Sequence, residues 1–496
     1  MIEDILRDLR YATRTLSRSR VFAATAIVSI ALGTGLNALV LSVVNGLLFK
    51  PLPVTDPGSL VFVERGGEIT GHSFPAYRDM RDRNTTLDAM AGYRITRMDV
   101  DADGGATREW GYLATGNYFE LLGVVPAAGR LLQPADDGAA GASPYAVLSY
   151  EYWQSRFAGS ASVVGSSIRI NRLAYTVLGV APPGFHGTEV FYRPAIWVPM
   201  AMQAQIEIGN PWLENRNTQN TWVVGRLAPG VSVEQAEGNL TAIDRQIAEE
   251  NGQLTEALPI KLTRPGLVGD ALGAPARAFG IGVLLLAGLV LLTACVNLAG
   301  ASAARTADRY RELAIRLSIG AGRGRIYRQM LTETVALAIA GGAIGMLAAL
   351  LAAQALSGWQ LPIGFPVQVD VRPDLRVFAL VFLLSLAAGL VFGLAPARLA
   401  ARTDPNTALK AADGIPKARW PVRELLVGVQ VALCVLLVTA CVASVRGLDR
   451  FLSMPIGFEP AQLTLASFDL SLAGFEPEQG ETLQRQALER ASALPG

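Results

Sequence analysis

Few of the 496 residues carry side chains suited to catalysis. The chain has two histidines, His72 and His186, with no His-Glu-x-x-His and no Cys/His cluster, so no zinc site is expected. Asp99-Val-Asp101-Ala-Asp103-Gly104 opens like a calcium-binding EF-hand loop, but its twelfth position is Trp110 instead of a bidentate glutamate. The flanks of that segment read as strands, and Asp103-Gly104 is a hairpin turn signal, so a β-hairpin is expected there. No Gly-x-x-x-x-Gly-Lys-[Ser/Thr] loop cradles phosphates, and no Gly-x-Ser-x-Gly elbow presents a nucleophile. His186, in Gly184-Phe-His-Gly187, reads as a loop residue. No catalytic, cofactor-binding or metal-ligating residue is therefore assigned, and no enzyme activity is expected.

What the chain does carry is apolar length. Half its residues (51%) are hydrophobic and only 17% are charged. Five uncharged or nearly uncharged runs stand out, at 21–49, 278–304, 334–369, 377–397 and 425–445. Each is long enough to cross a hydrocarbon core, which takes about 20 helical residues. The lipid bilayer is thus the first partner. Glu333, immediately ahead of the third run and near Arg328, reads as a snorkelling interfacial carboxylate. Asn37, Asn45, Asn297 and Gln354 supply too little further polarity for a proton relay.

Charge is partitioned between the segments. Net charge is +2 over 1–20, +5 over 305–330 and +3 over 397–424, against −5 over 50–277 and −3 over 446–496. Basic flanks stay cytoplasmic, so the N-terminus, 305–330 and 397–424 are expected inside and 50–277 outside. The expected segmentation is 1–20, a cytoplasmic amphipathic helix; 21–49, 278–304, 331–357, 377–397 and 425–445, five spans; 50–277, an external domain; 305–330 and 398–424, cytoplasmic; 358–376, an external loop; and 446–496, external. The first run is too long for a signal-peptide core and reads as an anchor. Its leading helix puts Ile2, Ile5, Leu6, Leu9 and Leu16 on one face and Arg7, Arg10, Arg14 and Arg18 on another, suited to a membrane surface or to packing on the bundle.

The external segment reads as α+β. Strands are expected at 145–149, 167–170 and 175–180, and a helix from Val231 to Ala248 with Ser232 and Gln235 as its capping box. The cysteines, Cys295, Cys434 and Cys441, all fall in apolar runs, so the external fold has no disulfide to rely on.

An internal repeat shapes the organisation. Gly46-Leu47 followed by Asp56-Pro57 and Leu60-Val61 recurs as Gly447-Leu448, Glu459-Pro460 and Leu463-Thr464. This reads as a duplicated unit whose second external domain starts at 446–496, so the chain is expected to be the first part of a longer protein.

Between the second and third spans, Arg311-Glu-Leu-Ala-Ile-Arg316 places Glu312 and Arg316 at i,i+4, ahead of a bend with glycines at 320, 322 and 324. A short amphipathic helix, a bend and a resumed helix are expected. This segment resembles the cytoplasmic loop of FtsX/MacB-type ABC transporter permeases. The external segment is similar to their periplasmic domain at Thr115-Gly-Asn-Tyr-Phe-Glu-Leu-Leu-Gly-Val124, Ala128-Gly-Arg130, Val147-Leu-Ser-Tyr-Glu-Tyr-Trp153 and Val164-Gly-Ser-Ser-Ile-Arg-Ile-Asn171. The opening, from Leu9-Arg-Tyr-Ala to Asn45-Gly-Leu-Leu-Phe-Lys-Pro-Leu-Pro53, resembles the acidobacterial duplicated orphan permeases. Unlike MacB, these 496 residues carry no nucleotide-binding motif, so a fused nucleotide-binding domain is not expected within them.

The resemblance implies an α-helical transmembrane bundle plus a periplasmic, MacB-like α+β domain, in a bacterial inner membrane. It implies an ABC ATPase subunit in trans, whose motion the spans relay outward for export or extraction of a substrate, and a homodimer or a pseudo-dimer through the duplicated half. No cofactor and no nucleic acid enter. On this reading Arg311, Glu312, Leu313, Ile315, Arg316, Leu317 and Gly320 couple the chain to the ATPase. Two other classes compete: a non-transporting scaffold or sensor whose external domain binds a ligand, and a membrane-anchored hydrolase, which the missing nucleophile and base weaken.

Overall fold

A computed structural model describes residues 14–66, 71–101, 105–252, 258–309, 312, 315, 316, 318, 319, 322–357, 374–401, 421–453 and 477–493. In chain order its helices are α1 (Arg20–Val44), α2 (Phe74–Arg83), α3 (Tyr118–Leu122), α4 (Tyr150–Phe157), α5 (Gln203–Ile206), α6 (Val233–Glu250), α7 (Asp270–Asp308), α8 (Arg323–Ser357), α9 (Leu375–Ala401), α10 (Pro421–Leu452) and α11 (Pro477–Ser492). The strands are β1 (Leu60–Arg65), β2 (Leu87–Asp101), β3 (Ala106–Ala114), β4 (Ala128–Gly129), β5 (Tyr145–Leu148), β6 (Ser167–Ile170), β7 (Leu173–Val180), β8 (Ile196–Pro199), β9 (Trp222–Leu227) and β10 (Ile260–Thr263). The chain divides into two compact units, one built mainly on Met1–Gly46, Arg277–Trp359 and Asp370–Ala461, the other mainly on Leu47–Ala276.

The second unit is α+β, as its irregular order of strand and helix signals predicts. One mixed sheet runs β10-β1-β9-β2-β3-β8-β5-β7-β4, with β6 pairing β2 and β7. The three strands expected from turn spacing are β5, β6 and β7, and Ser149 caps α4 with its side chain where a fifth strand residue was expected. The Asp99 segment is the end of the β2–β3 hairpin, which pairs Asp101 with Ala106; residues 102–104 lie outside the described residues. On α6, the Ser232 hydroxyl accepts from the Gln235 amide while Gln235 returns a bond to the Ser232 amide. That box satisfies two amide donors that a helix start otherwise leaves open. The apolar face of α6, including Leu240, Ile243 and Ile247, packs with Val61, Val63 and Val223 of the sheet. A second core is aromatic, with Tyr93, Tyr112, Tyr118, Tyr192, Phe119, Phe185 and Trp197 buried together.

In this unit β1 and β10 are antiparallel neighbours, Phe62 opposite Thr263. The start of β1 and the end of β10 therefore lie at one end of the sheet, and these are the two points from which the chain runs back to α1 and on to α7.

In the first unit, four helices among the described residues are long and apolar enough to cross a membrane: Arg20–Phe49, Asp270–Arg305, Arg323–Leu356 and Glu424–Arg450. The run at 377–397 lies on α9, whose apolar stretch, Leu375–Val391, is shorter among the described residues. The α7 and α8 helices begin before their apolar runs, at Asp270 and Arg323. Close approach of α1 to α8 depends on glycine: a Cβ at Gly35 would stand 2.8 Å from the Gly345 carbonyl oxygen. Small residues let membrane helices approach in this way. Thr34 and Ser385 share a buried 2.7 Å hydrogen bond between α1 and α9, and Asn37 Nδ2 donates to the Ala287 carbonyl on α7 at 2.7 Å.

Candidate coupling segment

The residues between α7 and α8 combine a high positive charge with helical spacing. Of the seven, Glu312, Ile315 and Arg316 are described; Arg311, Leu313, Leu317 and Gly320 lie outside the described residues. Helical backbone recurs at 312, 315, 316 and 318, and Gly322 precedes the resumed helix α8. Ile315 is 43% exposed, an apolar side chain left open to the surroundings.

The charged members close a ring. Glu312 accepts from Arg309 Nε at 3.2 Å and pairs with Arg316 one turn on. Arg316 Nη1 reaches Gln329 Oε1 at 3.4 Å, Gln329 Nε2 reaches Glu333 Oε1 at 3.5 Å, and Arg309 Nη1 meets that same oxygen at 3.4 Å. Five side chains thus join the segment to the first turns of α8. Burial pushes the Glu312 carboxyl up, but the Arg309 hydrogen bond, the Arg309 and Arg316 charges and the Arg316 hydrogen bond outweigh it and hold it below the usual glutamate range.

This corrects the sequence reading of Glu333. The carboxylate is buried rather than snorkelling, and it forms an ion pair with Arg309. Arg328 sits five residues earlier on the same helix, an offset that points to a different face, whereas Gln329 at i−4 shares one. The i,i+4 pair Gln329/Glu333 and the i,i+3 pair Arg309/Glu312 were the signals that could have disclosed the ring. The base of the segment is tied in as well: Arg305 Nη2 donates to the Thr15 carbonyl at 3.1 Å, and its guanidinium lies 4.6 Å from the Phe22 ring centre.

The second unit offers no comparable reactive set. Among the described residues no three His, Cys, Asp or Glu side chains gather as a metal site. His72 is buried, its Nε2 3.0 Å from the Val63 carbonyl oxygen, and burial lowers its pKa to about 4, so it is neutral at pH 7. His186 is the expected loop residue, 3.8 Å from Glu151.

Two family models match the chain in succession. The MacB-like periplasmic core domain covers residues 23–243, and the FtsX-like permease C-terminal domain covers residues 284–405. Among curated proteins, the macrolide export ATP-binding/permease protein MacB of Salmonella typhi is 27% identical over 315 residues, spanning 60% of this chain and 42% of the relative. The protein of the same name from Nitrosomonas europaea is 26% identical over 294 residues, spanning 58% of this chain and 40% of the relative. The chain thus matches less than half the length of these relatives. Among solved structures, the periplasmic region of MacB from Actinobacillus actinomycetemcomitans covers 42% of this chain and 88% of its own, at 12% identity and a TM-score of 0.32. The extracellular domain of the noncanonic ABC-type transporter YknZ from Gram-positive bacteria covers 41% of this chain and 99% of its own, at 12% identity and a TM-score of 0.31.

Proposed function

We propose that this chain, which belongs to the FtsX/MacB-type ABC transporter permeases, is a permease subunit that receives ATPase-driven motion inside the membrane and passes it to its external domain. The carrying observation is the succession of a MacB-like periplasmic core model and an FtsX-like permease model on one chain. FtsX-like permease domains are non-catalytic membrane components, so the hydrolysis belongs to an ATPase partner and the work done outside is export or extraction of a substrate.

The basic flanks support a cytoplasmic N-terminus, a periplasmic 50–277 and residence in a bacterial inner membrane. The segmentation read from the sequence, from the helix at 1–20 to the second external segment at 446–496, is part of this proposal. So are the duplicated unit and the pairing of two copies as a homodimer or pseudo-dimer. The gene beyond codon 496 tests the duplication, which requires a second external domain followed by further spans.

Arg311 to Gly320 is the segment proposed to dock the ATPase. The ring from Arg309 to Glu333 supports this, because it would stiffen the segment against α8 and let a push on one move the other. An exposed ion pair such as Glu312–Arg316 adds only about 0.5 kcal/mol. Apolar side chains must then supply the grip, with Leu313, Ile315 and Leu317 burying in a groove of the partner. Substituting Leu313→Asp and Leu317→Asp together should leave membrane insertion unchanged and abolish co-purification of the ATPase with the native protein. An intact ATPase complex in that variant would overturn the docking assignment.

A further inference from the structure

The passage from the sheet to α7 is held by two carboxylates from elsewhere in the second unit. Glu189, in the loop between β7 and β8, is fully buried. Its Oε2 accepts the Val268 amide at 2.8 Å, and its Oε1 accepts the Tyr93 hydroxyl. The adjoining Val190 amide donates to the Gly266 carbonyl at 2.9 Å. Two residues beyond Val268, the Asp270 amide at the start of α7 donates to Glu64 Oε2 at 2.9 Å. Glu64 comes so near that a Cβ at Gly269 would collide with its carboxylate and, at 2.7 Å, with the Phe62 ring.

The backbone under these clips is strained. Val268 has φ 49°, a left-handed conformation that a β-branched residue avoids, and its side chain is buried in the aromatic core. Such a residue keeps that conformation only while its surroundings impose it.

The surroundings of Glu189 make one clip sensitive to charge. The titratable groups facing it are phenols: Tyr93 from β2, Tyr112 from β3 and Tyr118 from α3. Among the described residues no arginine, lysine or histidine pairs with it. A buried carboxylate without a cation is costly as an anion, and opening the segment over it would let water in to solvate the charge.

We infer that Glu189 and Glu64 are positioning residues that latch segment 264–270 onto the external domain, and that ionisation of Glu189 loosens the latch. Closed, the latch makes α7 and the sheet move together; open, the linker absorbs the motion. In support, burial raises the Glu189 pKa to about 7 in spite of the Tyr93 and Val268 hydrogen bonds. The sign follows: the closed state binds a proton that a hydrated, open Glu189 would release, so rising pH through 7 favours opening. The consequence for α7 rests on the transmission reading above, but the latch itself does not.

Hydrogen exchange of the full chain in lipid nanodiscs, without nucleotide or partner, tests it. Protection of the Val268 amide, corrected for intrinsic exchange, should fall at least tenfold between pH 6 and pH 8, while the Ala91 and Leu113 amides stay constant. Glu189→Gln, permanently neutral, should keep the amide protected and remove the pH dependence. Tyr93→Phe deletes a donor to the anion and should move the loss of protection to higher pH. A flat wild-type profile, the same slope in Glu189→Gln, or a loss shared by the whole sheet would overturn the latch. The Leu313/Leu317 experiment fails or succeeds independently, so the two readings can fall separately.

Discussion

Arg309 places its Nη1 3.4 Å from Oε1 of Glu333, and both side chains are largely withdrawn from the surroundings, at 14% and 9% exposure. Removing one partner leaves the other buried and uncompensated, which costs about 3–5 kcal/mol when burial is complete. With Gln329 and Glu312 still in the ring, roughly 2–3 kcal/mol is expected for Glu333→Leu or Arg309→Leu alone. The double substitution should cost less than the sum of the two by more than 1 kcal/mol, on the order expected for coupled neighbours. Thermal unfolding of the purified chain in nanodiscs, run as a double-mutant cycle, measures this. Additive losses would show that the pair contributes nothing of its own.

The crossing of α1 and α8 should tolerate no side chain at its centre. A Cβ on Gly345 would press on the Ala31 carbonyl and stand 3.0 Å from the Gly35 amide nitrogen, both backbone atoms that cannot swing aside. Gly345→Val is expected to cost at least 1–3 kcal/mol through overpacking, read as a lowered melting temperature. Gly288 on α7 is the control, because nothing lies within 4 Å of a Cβ built there. Gly288→Ala should be neutral or stabilising by up to about 1 kcal/mol, from helix propensity alone.

Beside the start of β1, Arg226 should be irreplaceable by lysine. Its guanidinium donates to the carbonyls of Leu121 at 2.7 Å, Thr55 at 2.8 Å and Asp56 at 3.1 Å, and to the Ser59 hydroxyl at 2.6 Å. A planar fork with fixed donors can satisfy several carbonyls at once, whereas an ammonium is a point donor. Arg226→Ala should cost about 2 kcal/mol, reduced from the sum of charged hydrogen bonds because water reaches Thr55 and Asp56. Arg226→Lys should recover less than half of that, and proteolysis near 55–59 should quicken in both variants.

What could be read in the sequence was what is local. The β2–β3 hairpin, strands β5 to β7 and the Ser232/Gln235 box each rest on spacing within a dozen residues, where side-chain period and turn chemistry decide. The sheet order is not of that kind: β9 lies between β1 and β2, although 120 residues of chain separate it from β2. The ring at the candidate coupling segment was half legible, through Glu312/Arg316. Glu333 reads from sequence as a snorkelling carboxylate because its burial depends on Arg309, which lies 24 residues away in the chain. Glu189 gave no signal, being one carboxylate in a polar loop whose burial arises only when β2, β3 and α3 bring their tyrosines around it.

Two buried groups should oppose each other in the pH dependence of the α+β unit's stability. His72 has a folded pKa of about 4 against roughly 6.5 unfolded, so below pH 6.5 the unfolded chain takes up a proton that the fold refuses. Its contribution therefore falls on acidification from pH 6.5 to 4. Glu189 has a folded pKa of about 7 against roughly 4.3 unfolded, so the fold holds the extra proton and stability rises as pH drops from 7 towards 4.3. Each shift is of order 3 kcal/mol at its limit and the windows overlap, so the wild type should show little net slope from these two sites. Glu189→Gln should expose the His72 term, giving a domain that loses stability steadily between pH 6.5 and pH 4.5 relative to wild type. His72→Gln should show the opposite, gaining over the same window. Urea unfolding followed by tryptophan fluorescence reads this, since five of the seven tryptophans lie within 50–277. Parallel pH profiles for wild type and both variants would mean that neither group is buried in the state that unfolds.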